Sequence, residues 1–355
     1  MSKFISRRLE RLVPYTPGEQ PQDKKYIKLN TNESPFPPSD KAVSRAGEAL
    51  TRLMLYPDPE CTALNEKFAG VIGVEKDEVM AVNGSDEILN FAFSAFCGGE
   101  KTAVFPDITY GFYEVFADYN GVVYKKIPLG ADFKINISDY LNANATVFIA
   151  NPNAPTGIAL TLGEIEEIVK NNPENVVVID EAYIDFGGES AVSLIHKYDN
   201  LLVTQTFSKS RSAAGARLGF GIACKSLIAD LNTVRFSTNP YNVNSVTMAL
   251  GEGILDDGDY TRENCKKIIE TRLFAENELK NLGFETTNSS ANFIFARHKK
   301  IGGEKIYKKL KDKGILVRHF NGERIKDFNR ITVGTKDEMT VLIEKLREII
   351  KEETK

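Results

Sequence analysis

The segment Thr204-Gln-Thr-Phe-Ser-Lys-Ser-Arg-Ser-Ala-Ala-Gly-Ala-Arg-Leu-Gly-Phe220 sets one lysine, Lys209, among hydroxyls and small residues, with Arg217 eight positions on. Small neighbours let a bulky planar group approach the backbone. Hydroxyls and a guanidinium suit a phosphate, and a lysine amine forms a Schiff base with an aldehyde. Pyridoxal 5'-phosphate (PLP) carries both groups. Its ring is an electron sink that needs an acidic partner at the pyridine nitrogen. The segment Asn175-Val-Val-Val-Ile-Asp-Glu-Ala-Tyr183 offers one: Val176 to Ile179 reads as a buried parallel strand. Asp180 falls at its carboxyl end, where open α/β sheets place ligands.

These groups need a frame. The 355 residues suffice for one large domain or two. A 42% apolar and 26% charged composition is that of a soluble globular chain, and a net charge of −4 points to neither nucleic acid nor an anionic membrane as partner. The start, Met1 to Glu10, has charge but no apolar run behind it, and no segment approaches membrane-span length, so neither a secretory leader nor a membrane anchor is expected. Cys61, Cys97, Cys224 and Cys265 are far apart, as are His196, His298 and His319. They read as core or surface residues of a cytoplasmic protein, and no metal site is expected.

Val13-Pro-Tyr-Thr-Pro-Gly18 fixes a rigid polar arm with Tyr15 as its large anchor. Leu29-Asn-Thr-Asn-Glu-Ser-Pro-Phe-Pro-Pro38 is either a linker into the helix after Ser39-Asp40 or a binding loop. Tyr56-Pro-Asp-Pro59 is a second rigid turn, followed by a helix over about 60–71. After the strand Val79 to Val82, Asn83-Gly-Ser-Asp-Glu87 opens an amphipathic helix through Phe96. Gly84 and Ser85 there make either a phosphate cradle at a helix N-terminus or a plain N-cap by Ser85 or Asp86.

Strands at Ala103-Val-Phe, Val122-Val-Tyr, 146–150, 176–180, 201–206 and 218–223 alternate with helices, one beginning at Tyr110-Gly-Phe-Tyr and one over 190–198. Asn151-Pro-Asn-Ala-Pro-Thr-Gly157 forms a loop at a strand end, and Thr161-Leu-Gly-Glu164 is a capping box. The expected class is α/β, with a mostly parallel seven-stranded sheet flanked by helices. A long helical region through Lys280, broken near Asp256-Asp-Gly-Asp, leads into strands at 292–296, 314–319 and 330–334 with helices over 303–312 and 337–352. This reads as a smaller α+β unit. The expected division is an arm over 1–35 joining that unit, a large domain over 36–245 and a small domain over 246–355.

In this order the motifs resemble fold-type I PLP-dependent aminotransferases of class I/II, most narrowly the histidinol-phosphate branch, over nearly the full length from the Pro-Tyr-x-Pro-Gly arm to Arg330-Ile-Thr-Val-Gly334. The resemblance implies transamination of histidinol phosphate with 2-oxoglutarate on PLP, in a homodimer with shared sites. It implies that Lys209 is the Schiff-base lysine and general base, Asp180 the partner of the ring nitrogen, and Tyr183 that of the 3'-oxygen. Gly84, Ser85, Asp86, Thr206, Ser208 and Arg217 would surround the phosphate, and Tyr110 would stack on the ring. Tyr56 would reach the neighbouring subunit's phosphate. Tyr15, Asn32, Arg318 and Arg330 would meet the substrate.

Two positions depart from the pattern. Ala154 stands where the family has an asparagine on the 3'-oxygen, leaving that contact to Asn153 or to Tyr183 alone, and Ser34 stands where asparagine is common. Rival readings are a phosphothreonine decarboxylase, which would want a His-Gly-Gly stretch, a broad aromatic aminotransferase, and a non-catalytic aminotransferase-like regulator. A dinucleotide-binding protein would want G-x-G-x-x-G after a strand.

Overall fold

The backbone alternates strand and helix from Val79 onward because buried β-branched runs are interrupted by amphipathic segments. The computed structural model describes residues 2–10 and 12–353. Strand β1 (Ile27–Lys28) precedes helices α1 (Asp40–Ala49) and α2 (Thr62–Ile72). Then come β2 (Val79–Val82), α3 (Ser85–Phe96), β3 (Thr102–Pro106), α4 (Phe112–Asn120), β4 (Tyr124–Ile127) and β5 (Ala145–Ala150). After α5 (Leu162–Lys170) follow β6 (Val177–Asp180), β7 (Leu201–Thr206) and β8 (Gly219–Ala223). Helices α6 (Lys225–Thr238), α7 (Ser245–Leu255) and α8 (Gly258–Asn281) lead to β9 (Phe284–Thr286) and β10 (Phe293–His298). The chain ends in α9 (Gly303–Asp312), β11 (Ile315–Leu316), β12 (Arg318–His319), β13 (Phe328–Thr332) and α10 (Lys336–Glu353).

Seven strands form one sheet in the order β2-β8-β7-β6-β5-β3-β4. Only β8 runs antiparallel to its neighbours, so the sheet is mostly parallel. Core residues fill both faces: Val147, Ile149, Val177 and Ile179 point to one side, Phe148 and Val178 to the other. That is why these strands read as continuous apolar runs. A four-stranded antiparallel sheet, β12-β13-β10-β9, packs against α8 and α10 around its own core. Parallel pairing of Ile27 and Lys28 with Ile315 and Leu316 ties the arm to the chain beside that sheet.

The local signals act as their chemistry requires. Thr161 and Glu164 form the reciprocal capping box, and Ser39 accepts the Ala42 N–H to start α1. The structure departs from expectation in several places, among them the following. The segment over 190–198 contains only a 3₁₀ turn, Ala191–Leu194, because the Glu181 carboxylate takes the Ala191 N–H and the Ser190 hydroxyl takes that of Val192. The strand over 314–319 is split, because β11 pairs with β1 and β12 with β13. The edge strand starts at Tyr124 rather than Val122, after the left-handed Gly121 that ends α4. Helix α6 was not legible, because an arginine, Arg235, takes a core-facing position after Ile228 and Leu231.

Candidate active site

The carboxyl ends of β5, β6 and β7 open into a cleft of about 330 Å³ lined by Asp180, Tyr183, Lys209, Arg217, Ser85 and Tyr110, among others. Parallel register explains the meeting. Ala150 lies beside Asp180, and Asp180 beside Thr204, so the loops after these strands share one end of the sheet.

At one end of the cleft is an anion cradle. Helix α3 begins at Ser85 and points its N-terminus inward. The Thr206 hydroxyl donates to Ser208 Oγ at 2.9 Å, and Arg217 Nη1 lies 3.5 Å from the same oxygen. Gly84 must be glycine: its φ is +77°, and a Cβ there would stand 2.6 Å from Arg217 Nη2. A Cβ on Gly219 would come within 2.5 Å of the Ser85 nitrogen, so β8 also relies on glycine to let the helix end approach. Arg217 itself is left-handed, with φ of 57°, a strained conformation that holds the guanidinium over the cradle. Asp86 braces it: one carboxylate oxygen accepts from Arg217 at 3.2 Å, the other from the Tyr110 hydroxyl at 2.7 Å.

Lys209 lines the same cleft. Its amine donates to the Thr31 carbonyl at 3.2 Å and sits 6.0 Å from the Tyr183 ring centre. Burial, and then the Arg330 cation, lower its pKa to about 8. Glu33 opposes this; its own carboxylate is tied to Lys28 and Thr31.

Asp180, only 4% exposed, also lines it. The Tyr113 hydroxyl donates to its Oδ2 at 3.0 Å, while Thr204 Oγ1 and the Ala182 N–H, each at 3.3 Å, donate to Oδ1. Burial raises its pKa to about 6 against these donors.

Not every expected residue meets the cleft. Asn153 does not: its amide donates to the Ile108 carbonyl and Thr156 Oγ1, and its oxygen accepts from Thr109, so the side chain is used up joining its loop to the one after β3. The cleft wall at that loop is the methyl of Ala154. Asn32 is buried and donates to Tyr183 Oη at 2.9 Å while accepting from Thr332, so it orients Tyr183 and is not among the residues lining the cleft. Arg318 spends its guanidinium on the carbonyls of Thr16 and Pro17, clamping the arm. Tyr15 on that arm stacks on Phe112 at 4.3 Å. Tyr56 is 82% exposed and stacks on Tyr241, outside this chain's own cleft. Arg330 donates to the Asn30 carbonyl, and its enclosed Nε has no partner among the described residues. Arg318 and Arg330 face each other across β12 and β13.

Sequence reasoning missed Tyr113, Thr204, Thr31 and Glu33 as specific contacts. Tyr113 had a signal, since it lies one helical turn from Tyr110. Thr204 had none, because strand register sets it beside Asp180.

A helix N-terminus with hydroxyls and a guanidinium, a buried acid and an amine, all lining one cleft, suit a ligand with a phosphate, an aldehyde and a basic ring nitrogen. The fold and this cleft together define a PLP-dependent transferase. The family model for aminotransferases of class I and II matches residues 24–346. The histidinol-phosphate aminotransferase of Brachyspira hyodysenteriae is 48% identical over 353 residues, which cover 99% of this chain and all of the relative. The histidinol-phosphate aminotransferase structure from Clostridium acetobutylicum superposes with a TM-score of 0.84 at 26% identity, covering 92% of this chain and 99% of that one. That of Sinorhizobium meliloti, in complex with pyridoxal-5'-phosphate, shares the fold with a TM-score of 0.91 at 22% identity, covering 99% of both chains. The chain belongs to the class I and II aminotransferases, and within them to the histidinol-phosphate aminotransferases.

Proposed function

We propose that this protein is a cytoplasmic homodimer that transfers the amino group of L-histidinol phosphate to 2-oxoglutarate, giving imidazole-acetol phosphate and glutamate. The observation that carries the reading is Arg330 beside Lys209, its enclosed Nε without a partner and no carboxylate salt-bridged to it among the described residues. Arg318 lies opposite it across the strands, a like-charge pairing that is unfavourable, so an anion at Arg330 would relieve it. Histidinol phosphate has an amine and a phosphate but no carboxylate, and a guanidinium fork suits two phosphate oxygens.

PLP, when bound, supplies an aldehyde for the amine and a ring that withdraws electrons from the carbon bearing it. The chain does the rest. Ser85, Ser208 and Arg217 would hold the phosphate of the cofactor, with Asp86 keeping Arg217 in place. Asp180 would favour a proton on the ring nitrogen, and Tyr110 would wall the ring. Tyr183, its hydroxyl oxygen already accepting from Asn32, has its own proton free to donate to the 3'-oxygen; Ala154 cannot help. The amine of Lys209, with its depressed pKa, would serve as the general base for the proton of the substrate carbon. Tyr15, stacked on Phe112 beside Tyr110, is placed to meet the substrate, and Arg318 holds that arm down. Tyr56 completes the phosphate site of a second copy. The exposed apolar row Leu53, Met54, Leu55 and Tyr56, with Phe236 and Tyr241, fits burial between copies.

The test is a half-reaction. PLP-loaded protein is mixed with L-histidinol phosphate, phosphothreonine or phenylalanine, and conversion to the pyridoxamine form is followed by absorbance. The reading requires the fastest conversion with histidinol phosphate. Release of carbon dioxide from phosphothreonine without amino transfer, or equal rates with phenylalanine, would overturn it.

A further inference from the structure

Tyr110 and Tyr113 stand at the entry of α4, with the Tyr113 N–H donating to the Tyr110 carbonyl at 3.2 Å. Tyr110 lines the cleft, whereas Tyr113 is wholly buried. Its ring meets Tyr110 edge-on, with centroids 5.8 Å apart at 88°, and it packs beside Phe105 and Phe148. The hydroxyl of this fully buried ring, 3.0 Å from Asp180 Oδ2, donates to that oxygen. A buried phenol without an acceptor would be unfavourable by itself, so the hydroxyl and the carboxylate fix each other. One side chain thus touches both the ring that walls the cleft and the acid at its floor.

We infer that Tyr113 is a positioning residue: it sets the orientation and charge of Asp180 by hydrogen bonding Oδ2, and sets the tilt of Tyr110 by edge-on packing. The inference rests on the PLP reading of the site for its consequence but not for its geometry. A donor to a carboxylate favours the ionised form. With the donor present, the proton shared between Asp180 and a ring nitrogen stays on the nitrogen. With the donor gone, the carboxylate becomes more basic, the proton moves toward Asp180, and the ring becomes a poorer electron sink. The other groups facing Asp180 are Asp86 from α3, which disfavours its ionisation, and Thr204 Oγ1 and the Ala182 N–H, which favour it. Tyr110 and Tyr183 face Tyr113 as well. None of these replaces the donor at Oδ2, since Thr204 and Ala182 serve Oδ1.

Tyr113→Phe keeps the ring and removes only the hydroxyl. The first measurement is made on apo-protein: the carboxyl band of Asp180, assigned with Asp180→Asn, is followed by infrared titration. Its midpoint should rise by roughly one to two pH units in Tyr113→Phe, the range for losing a hydrogen bond to a charged group. The second uses protein loaded with PLP labelled with ¹⁵N in the ring, whose resonance reports whether the nitrogen is protonated. The wild type should show the protonated signal and Tyr113→Phe a shift toward the neutral one, with kcat reduced more than KM is changed. Tyr113→His, which restores a donor, should recover part of both shifts. An unchanged apo midpoint would overturn the charge-setting role whatever the cofactor does. A shifted apo midpoint with an unchanged ring-nitrogen signal would overturn the consequence for the reaction. Failure to take up PLP at all would instead refute the proposed function and leave the apo result to decide the contact.

Discussion

An amine with a pKa of about 8 in place of 10.5 should be visible in how fast the protein captures an aldehyde. Only the neutral amine attacks. At pH 7 an ordinary lysine is neutral in about one molecule in 3,000, and Lys209 in roughly one in ten, a gain on the order of 300-fold. The rate of PLP capture by apo-protein should therefore climb with pH and level off above about 8, where Lys209 is already mostly neutral. The sign of the shift follows from its causes. Burial disfavours the ammonium, and Arg330 disfavours it further, while Glu33 and Asp86 favour it. Arg330→Gln should move the midpoint up and Glu33→Gln should move it down. The assay is stopped-flow absorbance of apo-protein with excess PLP between pH 6 and 10.5, with Lys209→Ala as the blank. The same depression makes a stability statement. Between pH 8 and 10.5 the unfolded chain binds more protons at this lysine than the native one, so the contribution of Lys209 to apo-protein stability should improve as pH rises through that window. A capture rate still rising steeply at pH 10, as for an exposed lysine, would refute the argument that burial tunes this amine.

Further outcomes follow from other contacts. Arg330→Lys keeps the charge and loses the fork, so kcat/KM for histidinol phosphate should fall about ten- to hundred-fold, from losing one hydrogen bond to a charged group; an equal loss with unphosphorylated histidinol would show that Arg330 does not read the phosphate. Gly84→Ala should weaken PLP binding, measured by dialysis, because its Cβ would meet Arg217 at 2.6 Å on a backbone with φ of +77°; full retention of cofactor would place the phosphate elsewhere. Mixing Tyr56→Phe with Lys209→Ala subunits should put both lesions in one site of each heterodimer and spare the other, and a fully active monomer by light scattering would remove Tyr56 from the site.

The expected β-α alternation came from buried runs such as Val176 to Ile179 and from caps such as Thr161 with Glu164, because these signals are local: periodicity, propensity and a side chain reaching its own backbone. Helix α6 was missed for the same reason, since Arg235 breaks the apolar period that marks a core-facing stripe. The 3₁₀ turn at Ala191 was missed because its cause, Glu181, lies on a different element.

The residue types fixed the chemistry within reach: a lysine among hydroxyls with an arginine nearby, and an aspartate ending an apolar strand, already ask for a phosphorylated aldehyde with a basic ring. Strand register decided which groups share the cleft, setting Thr204 beside Asp180. Packing between distant segments decided the rest. It tied Asn153 to the loop after β3, spent Arg318 on the arm, put Asn32 behind Tyr183 and brought the Tyr113 hydroxyl to Asp180. A sequence shows which donors and acceptors exist, but a hydrogen bond forms only where the fold brings two of them within about 3 Å, and most of these partners lie tens to hundreds of positions apart.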